Sequence, residues 1–106
     1  MLFLPDAAPA SDMPVVARAS DGPCRMTISG VGQYFAIEVT GLAPGEDLVF
    51  ESLSEGEAIK SGTKASQSGT YASIVIPLVK GKTSGTATVI VTGSRCRIQA
   101  SYPWRE

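Results

Sequence analysis

The sequence predicts an all-β fold, and three observations carry that reading. Valine and isoleucine together number 16 against 6 leucines, and eight threonines add to the β-branched share. No stretch sustains the i, i+3, i+4 apolar spacing of an amphipathic helix. From residue 24 onward glycine recurs at positions 30, 32, 41, 45, 56, 62, 69, 81, 85 and 93, the rhythm of short strands joined by turns. At 106 residues the chain is sized for one domain around one core.

Residues 1–23 hold four of the seven prolines (Pro5, Pro9, Pro14, Pro23) among Ala, Ser and Asp. That composition resists helix and ladder alike, so the segment is expected to be a partly flexible leader or linker, with Val15-Val16 able to dock as a short strand. Met1-Leu2-Phe3-Leu4 is apolar but has no basic residues before it and is cut short by Pro5 and Asp6, so it is not a complete signal peptide. No run of 18 apolar residues occurs, and no membrane-spanning helix is expected.

The folded domain is expected over residues 24–106, with seven strands at 24–29, 34–40, 47–52, 58–64, 70–78, 86–92 and 95–102. In 34–40, Phe35, Ile37 and Val39 alternate with Ala36, Glu38 and Thr40, a period of two that sends one set to a core. In 86–92 the same rule sends Ala87, Val89 and Val91 inward and the threonines outward. Segment 70–78 is apolar on both faces, so alternation leaves its register open. Segment 58–64 is polar and is the weakest of the seven.

Gly41-Leu42-Ala43-Pro44-Gly45-Glu46 after an alternating strand, Ser68-Gly69-Thr70-Tyr71 opening a long one, Pro77 closing it and the run from Gly85 to Gly93 together resemble the layout of bacterial immunoglobulin-like domains. The resemblance spans about residues 24–102. It implies a seven-stranded antiparallel β-sandwich of secreted or cell-envelope proteins. In such a sandwich the strands bearing Cys24 and Cys96 can lie side by side and parallel. Setting Cys24 opposite Cys96 then pairs Met26 with Ile98 and Ile28 with Ala100 inward, with Arg25, Thr27, Arg97 and Gln99 outward, which supports a Cys24–Cys96 disulfide over the alternative of two separate buried thiols. A disulfide implies an oxidising compartment, so the expected location is periplasmic or secreted.

The chain has no histidine, which removes the usual general base and the commonest metal ligand. Two cysteines without a Cys-x-x-Cys spacing make neither a zinc site nor a redox pair. Ser61-Gly62-Thr63-Lys64 matches the Ser-x-x-Lys string of acyl-enzymes but lies in a polar stretch without the helical periodicity that lets Lys activate Ser. Six carboxylates crowd the span from Glu38 to Glu57. A deep catalytic cleft needs more mass than this chain has, and Glu46-Asp47 beside Gly45 could offer only a weak calcium site. No catalytic residue, metal or cofactor is expected, and the chain is not expected to be an enzyme.

The net charge of −1 gives no argument for nucleic acid or an anionic membrane. Charge is nevertheless split: residues 1–57 carry nine acids and two bases, residues 58–105 seven bases and no acid. Pairing of neighbouring strands across the sheet would neutralise these halves; otherwise opposed acidic and basic surfaces would favour weak self-association. The terminal Tyr102-Pro103-Trp104-Arg105 gathers rings and a cation outside the strict alternation. Trp104 would either cover an end of the core or, with Tyr102 and Arg105, form a candidate binding anchor.

Three functions fit these features. The first is a non-catalytic immunoglobulin-like module that binds an envelope or secreted protein, or serves as a spacer. The second is a carbohydrate-binding module that docks polysaccharide on Tyr34, Tyr102 and Trp104. The third is a small secreted inhibitor of an envelope-targeting hydrolase, with residues 61–69 as the candidate protruding loop.

Overall fold

The computed structural model describes residues 13–77 and 81–105. Among them the chain forms eight strands and no helix: β1 (Val15–Asp21), β2 (Cys24–Val31), β3 (Tyr34–Thr40), β4 (Asp47–Ser54), β5 (Glu57–Lys64), β6 (Tyr71–Val75), β7 (Ser84–Thr92) and β8 (Arg97–Arg105). They make two four-stranded sheets, ordered β1-β2-β3-β6 and β5-β4-β7-β8, in which every pairing is antiparallel.

The eighth strand is β1, which lies in the segment assigned from sequence to the leader. It pairs with β2 from Asp21↔Cys24 to Val15↔Ser29, with an irregularity between Val15 and Ala17. The proline content that argued against a strand is concentrated outside it: Pro14 precedes β1 and Pro23 sits in the two-residue turn that follows. Gly22 takes the left-handed conformation this tight turn requires (φ 59°). Residues 1–12, with the rest of the expected leader, lie outside the described residues.

β2 is therefore flanked by β1 and β3, and the expected parallel ladder with the last strand does not form. A two-residue hairpin closes a far shorter loop than a ladder across the chain, so the local partner takes the edge. The predicted alternation still holds: Met26, Ile28, Ile98 and Ala100 are all buried in the same core, but they reach it from different sheets. That core also draws Phe35, Ile37 and Val39 from the first sheet and Leu48, Phe50, Val89 and Val91 from the second. Each fully buried side chain of this size contributes about 1.5–3 kcal/mol. Phe35 and Tyr102 meet across the sheets with ring centroids 4.4 Å apart.

Cys24 and Cys96 form the expected disulfide, with Cα atoms 6.4 Å apart. It joins the start of β2 to the turn before β8 and so ties one sheet to the other. At a sequence separation of 72 residues it removes chain entropy worth about 4 kcal/mol from the unfolded state.

The connections from β3 to β4 and from β5 to β6 each need a glycine for steric reasons. Gly41 (φ 85°) has Pro23 backbone oxygen 2.0 Å from where a Cβ would stand, and Gly69 (φ 76°) has Leu42 oxygen at 2.3 Å. Their close approach lets Leu42 N–H donate to Gly69 O at 3.0 Å, which holds the two crossing loops together.

Candidate binding surface

β8 runs to Arg105 and alternates buried and exposed without a break. Ile98, Ala100, Tyr102 and Trp104 point inward, while Arg97, Gln99, Ser101, Pro103 and Arg105 point out. Tyr102 and Trp104 are 1% and 3% exposed, so neither ring offers a face to a partner; of the three candidate anchors only Arg105 is on the surface. Pro103 is compatible with the strand because β8 ends its sheet and has no ladder neighbour on one side. Continuing the period of two through Pro103 would have placed both rings correctly. Burial raises the Tyr102 hydroxyl to a pKa of about 12, and neither that hydroxyl nor Trp104 Nε1 has a hydrogen-bond partner among the described residues.

The acidic residues act as fasteners. Glu46 accepts from Ala43 N–H at 2.7 Å with one oxygen and from Ser94 N–H at 2.6 Å with the other. These two backbone donors hold its carboxyl below the ordinary carboxylate range. Asp47 is held low by the Lys64 ammonium, with Nζ 2.6 Å from Oδ1. Glu55, in a tight turn with Gly56 where both take positive φ, accepts from Thr86 N–H at 3.1 Å and from Lys82 Nζ at 3.3 Å, and these lower its pKa. Of the two residues considered for calcium, Glu46 has both oxygens bonded to backbone N–H groups, and Asp47 has Oδ1 bonded to Lys64. Among the described residues no group of three metal-ligating side chains occurs.

These pairs also account for part of the charge split. Asp47 meets Lys64, Glu55 meets Lys82, and Glu51 stands opposite Lys60 in the β4–β5 ladder. Acids of the first half and bases of the second are adjacent in one sheet. Exposed pairs of this kind contribute little stability.

The candidate inhibitor segment, residues 61–69, is part strand and part turn. Residues 61–64 end β5, and Ala65 is buried. Ser66 then organises a compact turn, its hydroxyl accepting from the Ser68 and Thr70 N–H groups at 3.3 and 3.1 Å.

Exposed apolar side chains collect elsewhere, on the outer face of the β1-β2-β3-β6 sheet. The ladders set Val15, Ser29, Ala36 and Ile74 in one cross-strand row, of which the two ends, Val15 and Ile74, are exposed and Ser29 and Ala36 between them are buried. Val31 and Tyr34 pair in the next, and Ile76, just past the end of β6, is exposed beside the cavity described below. Ile74, Val31 and Tyr34 are 66%, 60% and 52% exposed, and Val15 and Ile76 are also exposed. The other half of this face is polar, with rows Arg18–Thr27–Glu38–Ala72 and Ser20–Arg25–Thr40. The outer face of the second sheet is polar or charged along most of its length, and Thr88 and Ser101 hydroxyls hydrogen-bond across it at 2.8 Å.

β6 resolves the register that alternation left open. Tyr71, Ser73 and Val75 face the core side, and Ala72 and Ile74 face out. Its apolar character on both faces was the one sequence signal of an exposed apolar row. Along its free edge a cavity of about 350 Å³ opens between the sheets, lined by Phe50, Ser52, Ile59, Val75, Ile76 and Pro77 among others.

Among the described residues no helix is long and apolar enough to cross a membrane. Comparison with protein-family models, with curated proteins and with solved structures gave no match to this chain.

Proposed function

We propose that the chain is a non-catalytic immunoglobulin-like β-sandwich module of the periplasm or secreted space that works by binding another protein. The observation that carries this reading is the concentration of Val15, Val31, Tyr34 and Ile74 on one half of one outer sheet face, while the rest of that face is polar. Exposed apolar side chains gathered on one part of a face and rimmed by polar residues mark protein contacts. The sandwich is supported by the core common to both sheets and by the Cys24–Cys96 bond between them. The disulfide also favours an oxidising compartment, since thiols of cytosolic proteins are kept reduced.

The carbohydrate-binding alternative is the weaker reading. Of Tyr34, Tyr102 and Trp104 only Tyr34 presents its ring to solvent, and one ring gives one stacking contact.

The test uses the oxidised protein immobilised against envelope and secreted fractions, beside the double variant Val31→Asp/Tyr34→Asp. A protein retained by the parent and lost by the variant is expected. Retention that the variant leaves unchanged, or no retained protein at all, overturns the binding role.

A further inference from the structure

Two sheets of four strands leave four edges, and three of them are guarded. β1 carries Arg18 and Asp21, β5 carries Glu57, Lys60 and Lys64, and β8 carries Arg97 and Arg105. Charges along an edge are the usual means of preventing another strand from adding there. β6, Tyr71-Ala72-Ser73-Ile74-Val75, carries none. Among the described residues its only ladder partner is β3.

The strand is also complementary to itself. In an antiparallel pair with a two-fold axis through Ser73, Ala72 faces Ile74 of the second copy and Tyr71 faces Val75 of the second copy. One pair sets a small side chain against a large one and the other an aromatic against a β-branched residue, a favourable cross-strand combination. No charged residue meets its own copy. Beside this edge lies the cavity of about 350 Å³, whose lining residues Ile59, Val75, Ile76 and Pro77 would gain a neighbouring strand.

We infer that the β6 edge is a self-association site at which a second copy of this chain adds antiparallel, joining two four-stranded sheets into one of eight. The closed two-fold arrangement leaves no β6 edge free for a third copy. The inference extends the protein-binding role without resting on the apolar half-face, because the edge and the face are tested by different residues. A five-residue ladder lies at the small end of interface sizes, so the dimer is a weak one with a micromolar dissociation constant.

The experiment is analytical ultracentrifugation of the oxidised full chain from micromolar to millimolar concentration, with hydrogen exchange followed over the same range. A monomer–dimer equilibrium is expected, with amide protection rising with concentration at residues 71–75 and not in β1, β5 or β8. Ala72→Lys is expected to weaken the dimer at least tenfold. Its monomer should fold normally, because Ala72 stands opposite Glu38 in the β3–β6 ladder and the new ammonium gains a carboxylate neighbour. A chain that stays monomeric throughout overturns the inference, as does a dimer that Ala72→Lys leaves intact. Protection of residues 71–75 that appears only when a protein from the native compartment is added gives the edge to another chain and likewise overturns self-association. Loss of the dimer in Val31→Asp/Tyr34→Asp but not in Ala72→Lys assigns it to the sheet face instead.

Discussion

On one flank of the molecule β1 and β8 end beside each other, and covalent and hydrogen bonds cross between their sheets. Cys24 is bonded to Cys96, Arg97 N–H donates to Asp21 at 2.8 Å and Arg105 N–H donates to Gly32 O at 3.2 Å. On the other flank β5 and β6 end with a cavity of about 350 Å³ between them, and Ile59, on the inward side of β5, is 67% exposed. The same chain length and the same strand chemistry produce both flanks. Burial alone does not close an antiparallel pair of sheets: the closed flank is fastened by a disulfide and by backbone donors with nearby acceptors, whereas among the described residues such bonds on the open flank are confined to the turn that joins β5 to β6, where Ser66 N–H donates to Thr70 O at 2.7 Å. The first flank is covalently fastened, and the second carries the proposed association edge.

The comparison is broken most directly at the disulfide. Cys24→Ser/Cys96→Ser is expected to lose about 4 kcal/mol in denaturant unfolding of the monomer. A loss below about 1 kcal/mol would mean that the hydrogen bonds alone hold the closed flank. A smaller effect, of opposite sign, is expected at Tyr102, whose hydroxyl is buried without a protein partner. Tyr102→Phe should raise stability by about 1 kcal/mol, because it removes an unsatisfied polar group and keeps the ring on Phe35. The parent should also lose stability as pH rises above 10, where the unfolded tyrosine ionises and the buried one, at about 12, does not. Melting curves from pH 9 to 12 for the two proteins check both statements.

Glu46 sharpens the comparison on the acid side. Its pKa is lowered in the fold from the ordinary 4.5, so its contribution is complete above that value and is lost as pH falls through the lower folded one. Glu46→Gln keeps one acceptor and sets an amide N–H₂ against a backbone N–H. Its melting temperature should drop at neutral pH and vary less than the parent's between pH 3 and 5. The smallest effect belongs to the open flank: Ile59→Lys is expected to change monomer stability by under about 0.5 kcal/mol, as surface substitutions do. A large loss there would show that the open flank contributes to the fold.

Much of the architecture was legible in the residues. The periodicity of Phe35, Ile37 and Val39, of Ala87, Val89 and Val91, and of Met26 and Ile28 places all of them correctly in the core. β1 was obscured by the prolines that bracket it, although Val15-Val16 marked its start. The candidate anchors Tyr102 and Trp104 were misread as departures from alternation because Pro103 sits between them, and an edge strand accommodates a proline that a central one would not. Ile74 and Ile76 could not be assigned to a face, since a strand apolar on both sides gives the same pattern whether one side or both are covered.

By itself the sequence determined what depends on local spacing and composition: an all-β chain, which side chains of most strands share a face, turns marked by glycine, and two cysteines available for one bond. Only the tertiary structure decided which strands became neighbours, that the disulfide bridges sheets rather than adjacent strands, that acids and bases of the two halves meet across β4 and β5, and which apolar row stays uncovered. The reason is physical. Alternation is set by the geometry of two successive residues, whereas ladder order and exposure depend on which of several similar apolar faces reach one another when the whole chain closes around its core.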